Sequence, residues 1–172
     1  MNETTEFKEY CIKQHDVECN QKYDKTLPYS FHLNLVAIQA NKWNHLLSDS
    51  DEKLITELGA WGHDLIEDAR VTYSDVYRIS GQDVADVIYA CTNEKGKDRR
   101  RRHNIQFYRV LRENRLAVYV KLCDLIANIT YSLLTNSSMY LKYQSEFPHL
   151  RNEIYRSEFD QMFEHIEELL EL

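Results

Sequence analysis

The sequence predicts an all-α protein, and three observations lead to that prediction. Hydrophobic residues make up 43% of the 172-residue chain, which is enough to bury a sizeable core. Only four glycines and two prolines interrupt the chain, whereas all-β and disordered chains are richer in turn residues. Apolar residues recur at spacings of three and four, which is the helical period. We therefore expect one compact helical bundle that forms a single domain, residues 1–172.

Two helices are predicted in the first part of the chain. The first covers about residues 3–21; Pro28 then fixes its own φ angle and pushes Leu27 out of the helical region. The second covers about residues 30–48. Its inward face is a stripe at spacings of four, four and three, formed by His32, Val36, Ala40 and Trp43.

A third helix is predicted from a cap at Asp49 or Ser50 to about Asp68. Its buried side would carry Leu54, Leu58, Trp61 and Leu65. A histidine and three carboxylates fall within six positions at its C-terminal end, namely His63, Asp64, Glu67 and Asp68. Burying that much charge is costly unless a cation or a reaction uses it.

The remaining helices are predicted at about residues 73–79, 82–94, 105–114, 115–134, 137–147 and 150–171. The segment 115–134 is the most apolar and should be the central helix. Its stretch "LAVYVKLC" is β-branched enough to form a strand on local preference, and periodicity cannot decide so short a run. We assign a helix because the chemistry described below requires helical spacing there.

Charge and cysteine usage narrow the class of protein. The net charge of -7 argues against a nucleic-acid binder that works through overall positive charge. The four cysteines form no C-x-x-C pair, which fits reduced thiols in an intracellular compartment. The N-terminus has no basic segment followed by an apolar one, and no apolar run approaches the ~18 residues of a membrane span. We expect a cytoplasmic protein that binds neither nucleic acid nor membrane.

The charged residues that end the third helix project in one direction, because positions i, i+3 and i+4 share a helical face. An imidazole beside carboxylates, with no thiolate, favours Mn²⁺, Fe²⁺ or Mg²⁺ over a structural Zn²⁺. Two further ligands can come from elsewhere in the chain. His32 lies on the inward stripe of the second helix, and Asp124 is a lone charge inside an apolar helix.

Asp124 belongs to a polar stripe at spacings of three, four and three on the central helix, formed by Lys121, Asp124, Asn128 and Tyr131. Each candidate also has a purely structural interpretation. Asp124 could be a buried carboxylate paired with Lys121, His32 a hydrogen-bonded core histidine, and "HDLIED" a solvated helix end. Together they form an H…HD…D pattern in helical settings, which is much more specific than any short motif alone.

Three ordered blocks resemble the HD superfamily of metal-dependent phosphohydrolases, and within it the hydrolase domain of RelA/SpoT-type alarmone enzymes, including the small alarmone hydrolases. The blocks are "LPYSFHLNLVA", "HDLIEDARVTYSDV" and "VKLCDLIANI". They are similar to the family patterns P-Y-x-x-H-P-x-x-V-A, H-D-x-x-E-D-T and V-K-L-A-D-R-x-x-N-M. The resemblance spans about residues 10–135. It implies an HD-domain helical bundle and hydrolysis of the 3′-pyrophosphate of ppGpp or a related alarmone nucleotide.

The resemblance also implies roles for individual residues. The metal, Mn²⁺ or another divalent ion such as Mg²⁺ or Fe²⁺, would be bound by His32, His63, Asp64 and Asp124. Glu67 and Asp68 would handle the attacking water, since a nearby carboxylate can position or deprotonate a water that a metal has acidified. Asn128 would face the nucleotide.

Several positions depart from the family pattern. Leu33 replaces the proline after the first histidine and Ala69 replaces the threonine after E-D, changes that should not harm metal binding. Tyr23, beside Lys22, stands where the family has a guanine-stacking arginine. A tyrosine can stack on a purine but offers no positive charge, so the base preference can differ. Tyr131 stands where many members have threonine.

A basic segment, residues 94–103, follows the fifth predicted helix. Its six basic residues against two acidic ones give a local charge of +4 in an acidic protein. The segment is either a solvated helix face or an anion trap for a pyrophosphorylated nucleotide, and we favour the trap. The predicted substrate contacts are therefore Lys22, Tyr23, Lys95, Lys97, Arg99, Lys121, Asn128 and Tyr131.

Two alternatives to an alarmone hydrolase stay open. The protein could be a phosphohydrolase of another purine nucleotide, or a nucleotide-binding domain that does not turn its ligand over. The presence of both Glu67 and Asp68 argues against a pure binder, which has no use for a pair that activates water.

Overall fold

The computed structural model describes residues 3–92 and 104–172. These residues form helices and one short hairpin, which confirms the predicted all-α class. The helices are α1 (Glu3–Ile12), α2 (Ser30–Lys42), α3 (Ser50–Gly62), α4 (Leu65–Asp68), α5 (Tyr73–Ser80), α6 (Gln82–Cys91), α7 (Ile105–Glu113), α8 (Arg115–Leu134), α9 (Met139–Ile154) and α10 (Asp160–Leu170).

Shorter elements link these helices. A π-helix (Lys13–Glu18) extends α1, and 3₁₀ turns follow α2 (Asn44–Leu46) and precede α10 (Ser157–Phe159). Strands β1 (Lys22–Tyr23) and β2 (Leu27–Pro28) pair antiparallel in the hairpin that leads into α2. The basic segment 94–103 lies outside the described residues.

Helix α8 lies at the centre of the fold and packs against α2, α3, α6, α7, α9 and α10. Most of its residues between Ala117 and Ile129 are buried, as expected of a helix that is apolar apart from one polar stripe. The strand alternative for its first half is wrong, because the whole of Arg115–Leu134 is one continuous helix. The one polar group of Tyr119 is satisfied, since its hydroxyl donates a 2.6 Å hydrogen bond to the Ala40 carbonyl.

Length and hydropathy alone would allow α8 to cross a membrane, contrary to the expectation that no segment qualifies. Its most apolar 18-residue window has a mean hydropathy of 1.3, and 67% of that window is buried. The apolar surface of α8 is thus mostly covered by the other helices of the fold.

A second group of buried apolar residues joins α1, α3, α5 and α6, and α3 also reaches α8. Gly59 permits a close approach of α3 to α6 and α8. A Cβ atom at that position would lie 2.9 Å from Val87 Cγ1 and 3.2 Å from Val120 Cγ2, and both of these β-branched side chains are fixed by the core. The small residue therefore lets the C-terminal end of α3 lie directly beside α8.

The third predicted helix differs from α3 in two respects. Asp49 caps it as predicted, accepting hydrogen bonds from two backbone N–H groups, but it ends at Gly62 and a turn separates it from α4. Leu54 is 41% exposed, so the prediction that it is buried is wrong. The reason is that α3 runs from the surface inward, and from Thr56 onward all of its residues except Glu57 are buried.

Helix α9 passes through Pro148, where a break between two segments was predicted. Proline in a helix interior costs about 3 kcal/mol. The continuous helix offsets this cost by burying one stripe at spacings of four, three and four, formed by Tyr143, Phe147, Leu150 and Ile154.

Candidate functional site

The predicted metal ligands come from three separate elements and converge in the core. His32 lies in the first turn of α2, His63 and Asp64 form the turn between α3 and α4, and Asp124 lies in the middle of α8. Candidate ligand atoms of His32, His63 and Asp124 all lie within 4.8 Å of one another. The Oδ2 atom of Asp64 lies 3.0 Å from His63 Nε2 and 3.8 Å from His32 Nε2.

The Nε2 atoms of His32 and His63 face each other at a distance of 3.2 Å. His63 Nδ1 donates a 2.9 Å hydrogen bond to the Ala60 carbonyl, which leaves its Nε2 free to act as a ligand. Burial lowers the pKa of His63, but the carboxylates of Asp64 and Asp124 raise it to about 9. The same two carboxylates that stabilise a proton on His63 would also stabilise a cation at the centre of the cluster.

The donor set fits a divalent metal ion. Two imidazole nitrogens and two carboxylates, with no cysteine among them, suit Mn²⁺, Fe²⁺ or Mg²⁺ better than a structural Zn²⁺. Burial alone would raise the pKa of Asp64, but the adjacent His63 holds it below its ordinary value. Burial would likewise raise the pKa of Asp124, but Lys121 and His32 hold it well below its ordinary value, so both carboxylates are kept ionised, as metal ligands must be.

Asp124 is held from two directions on its own helix. Lys121 Nζ lies 2.9 Å from its Oδ2 atom, and the Asn128 amide donates to its Oδ1 atom. Burial lowers the pKa of Lys121, but Asp124 raises it above its ordinary value, so the lysine is charged. The ion pair between Lys121 and Asp124, which was the structural alternative for Asp124, is therefore present. His32 and His63 lie beside the same carboxylate. The expected contact of Lys121 with substrate stays a prediction.

Glu67 and Asp68 are the last two residues of the four-residue helix α4, which directly follows the candidate ligands His63 and Asp64. The carboxylate of Asp68 accepts a 2.9 Å hydrogen bond from Gln21 Nε2, and the Tyr29 hydroxyl lies 3.5 Å from the same oxygen. Burial, followed by the charge of Asp64, raises the pKa of Asp68. A raised pKa suits a carboxylate that must take a proton from water.

Tyr29 was not predicted from the sequence as a site residue, and its hydroxyl donates to the Oδ2 atom of Asp64. Burial and the nearby carboxylates raise the pKa of Tyr29 well above its ordinary value, so it remains a donor. Tyr29 lies three residues before His32, and this spacing could have indicated a shared face. No spacing in the sequence indicated that His15, in the π-helix, and Gln21, in the loop after it, lie near the site.

Tyr23, Asn128 and Tyr131 lie together beside the ligand cluster. The Tyr23 ring stacks on His32, with centroids 4.9 Å apart and planes 12° apart, and its hydroxyl donates a 3.0 Å hydrogen bond to Asn128 Oδ1. The Tyr131 ring contacts Tyr23 edge-on, and its hydroxyl donates to Asp24 at 2.9 Å. An aromatic surface thus adjoins the candidate metal ligands.

The remaining predicted substrate contacts are Lys22, which the structure describes, and three residues of the basic segment 94–103, which it does not. Lys22 is exposed on β1. Lys95, Lys97 and Arg99 lie outside the described residues, so their contact with substrate stays a prediction.

Comparison with solved structures identifies a similar fold. A metazoan orthologue of SpoT, which hydrolyses ppGpp and plays a role in starvation responses, superposes with a TM-score of 0.75 at 18% sequence identity. The match covers 98% of this chain and 95% of that chain. The chain therefore has the fold of this SpoT orthologue, as the sequence resemblance implied. No family model matches the sequence, and comparison with curated proteins finds no match.

Proposed function

We propose that this protein hydrolyses the 3′-pyrophosphate of ppGpp or a related alarmone nucleotide and requires a divalent metal ion, with Mn²⁺ the first choice. The observation that carries the proposal is the convergence of His32, His63, Asp64 and Asp124 at one point of a fold shared with a ppGpp hydrolase. Bound by these residues, a divalent ion would supply Lewis-acid chemistry, polarising phosphoryl oxygens and acidifying water.

The residues around the ligand cluster have distinct parts in this proposal. Glu67 and Asp68 orient the attacking water and take its proton, and the raised pKa of Asp68 suits that task. Water attacks the phosphorus joined to the ribose 3′ oxygen, and the bond between that phosphorus and that oxygen breaks. The pyrophosphate product carries the oxygen from water, and the nucleoside 5′-diphosphate keeps the 3′ oxygen, which takes up a proton to become a hydroxyl group.

The substrate is best identified with a nucleotide panel. Metal-loaded protein is incubated with ppGpp, pppGpp, ppApp, NADPH and deoxynucleotides, and the products are separated by chromatography. We expect turnover of the nucleotides that carry a 3′-pyrophosphate and none in the presence of chelator. Turnover confined to other nucleotides would support the more general purine phosphohydrolase. Binding of metal and nucleotide without any product would instead indicate a domain that only binds.

We predict a weak preference for guanine over adenine because of Tyr23. Its ring adjoins the ligand cluster and can stack on either purine, and stacking alone discriminates poorly between bases. Changing Tyr23 to arginine should increase the ratio of kcat/KM for ppGpp over ppApp, while changing it to alanine should raise KM for both. Tyr23→Phe is the matched control, since it keeps the ring and loses only the hydrogen bond to Asn128. A strict guanine requirement that survives Tyr23→Ala would contradict this account of base recognition.

We also predict that the basic segment 94–103 attracts the substrate through charge. Replacing Lys95, Lys97 and the arginines at 99–102 by serine should raise KM several-fold for the most highly charged substrates and change kcat less. The wild-type KM should rise with salt, because screening weakens attraction between exposed charges. Serine substitutions at the exposed Lys13 and Lys142 serve as controls. Equal KM values for wild type and variant at every salt concentration would rule out the anion trap.

A further inference from the structure

A chain of hydrogen-bonded side chains connects the core to Asp68. His15 Nδ1 lies 2.7 Å from Gln21 Oε1, and Gln21 Nε2 lies 2.9 Å from Asp68 Oδ2. An ionised carboxylate only accepts hydrogen bonds, so the Gln21 amide must present its NH₂ group to Asp68 and its carbonyl oxygen to His15. The imidazole must then carry its proton on Nδ1. The direction of every hydrogen bond in the chain is therefore fixed.

The surroundings of His15 hold its ring in place at the buried end of this series of hydrogen bonds. Its side chain is fully buried in the π-helix and stacks on the Tyr29 ring, with centroids 4.8 Å apart and planes 22° apart. Burial lowers the pKa of His15, which favours the neutral ring with a single proton. Its backbone carbonyl also accepts a 2.9 Å hydrogen bond from the Gln21 N–H. Gln21 is thus fixed to His15 through both backbone and side chain.

Asp68 needs such support because of its position. It is the last residue of a helix of only four residues and is exposed overall, so packing fixes its side chain only where the carboxylate meets the site. Gln21 and Tyr29 both approach the Asp68 carboxylate at its Oδ2 atom. Holding Oδ2 leaves Oδ1 in a defined direction, where it can meet the attacking water.

We propose that Gln21, oriented by His15, is a positioning residue that holds the Asp68 carboxylate in the geometry needed to take a proton from water. This inference rests on the proposed function. A misplacement of about 1 Å at a reacting group can lower the rate by roughly 100-fold, so a side chain that fixes the base acts on kcat. Neither Gln21 nor His15 needs to touch substrate or metal for this role.

The kinetic test compares Gln21→Leu, which removes both side-chain hydrogen bonds, with wild type. We expect kcat to fall about tenfold while KM and bound metal stay unchanged, in keeping with loss of an interaction that acts only in the transition state. Gln21→Glu should be at least as damaging, because it sets a second carboxylate against Asp68. Gln14→Leu is the matched control. Gln14 lines a surface cavity together with Gln21 and Asp68, and its replacement should leave kcat unaltered.

A double-mutant cycle separates positioning of Asp68 from general damage to the fold. In an Asp68→Asn background, Gln21→Leu should have almost no further effect on kcat, because the group that it positions has lost its function. Independent, multiplicative losses in the two variants would overturn the proposal. Loss of bound metal in Gln21→Leu would overturn it as well, because the residue would then support the metal ligands.

A second measurement does not depend on activity. In the wild-type protein without added metal, ¹⁵N NMR of the imidazole should show His15 neutral with its proton on Nδ1. The Nε2–H tautomer would overturn the hydrogen-bonded chain. A wild-type protein that hydrolyses no nucleotide would reject the proposed function instead, and the tautomer would still decide whether the chain exists.

Discussion

Replacing His63 or Asp124 by alanine is expected to remove bound Mn²⁺ and to abolish measurable hydrolysis. Each residue is one of four candidate ligands that come from three elements, and the candidate ligand atoms lie so close together that removing one would open the site. The loss should be read by metal analysis of the purified variants and by turnover of ppGpp. Asp124→Ala also leaves Lys121 buried beside no carboxylate on its own helix face, which is costly in itself.

A variant that keeps the fold makes this prediction sharper. Asp124→Asn preserves the side-chain volume and removes the charge, so it should retain the wild-type helical content by circular dichroism while losing the metal. His45→Ala is the control, since this histidine is exposed and lies away from the ligand cluster. Full activity in either ligand variant, or a wild-type protein that works unchanged in chelator, would reject the site.

The second large effect concerns chemistry without loss of metal. Glu67→Gln and Asp68→Asn are expected to bind metal and substrate normally and to lower turnover by roughly 100-fold or more, as loss of general acid-base catalysis does. Both substitutions preserve size and remove the ability to take a proton. The measurement is kcat per bound metal ion, with KM followed in parallel.

The opposite outcome would reassign these two residues. If metal affinity falls sharply while turnover per bound metal stays normal, Glu67 and Asp68 are ligands and their proposed role is wrong. Glu57→Gln on α3 is a suitable control, because Glu57 is an exposed carboxylate on the helix that leads into the site. It should leave both metal content and kcat at wild-type levels.

Three of the candidate metal ligands could be predicted because each places a polar or charged group where the sequence is otherwise apolar. Asp124 is a charge in the most apolar helix, and His63 and Asp64 follow the buried half of α3. Burial of such groups requires a shared partner, and the structure brings them together as that reasoning expects. The break between α3 and α4 was missed, because a turn at His63 and Asp64 leaves the i, i+4 spacing of the carboxylates almost intact.

The contacts around Asp68 could not be predicted in the same way. They depend on a π-helix and on Asn20, whose backbone has a positive φ of 46°, so that the chain turns back toward α4. The helical spacing of apolar residues in a sequence does not indicate such irregular backbone. The continuous α9 was missed for a different reason, because the local signal of Pro148 was outweighed by burial along the whole helix.

The central claim is tested most directly by following one reaction of the metal-loaded protein with ppGpp in ¹⁸O-labelled water. Because water attacks phosphorus and the bond to the ribose 3′ oxygen breaks, the account predicts GDP and pyrophosphate as products. Mass spectrometry should find one ¹⁸O atom in the pyrophosphate and none in GDP. Unchanged ppGpp in the presence of bound metal, or label in the 3′ hydroxyl of the nucleoside, would contradict the account.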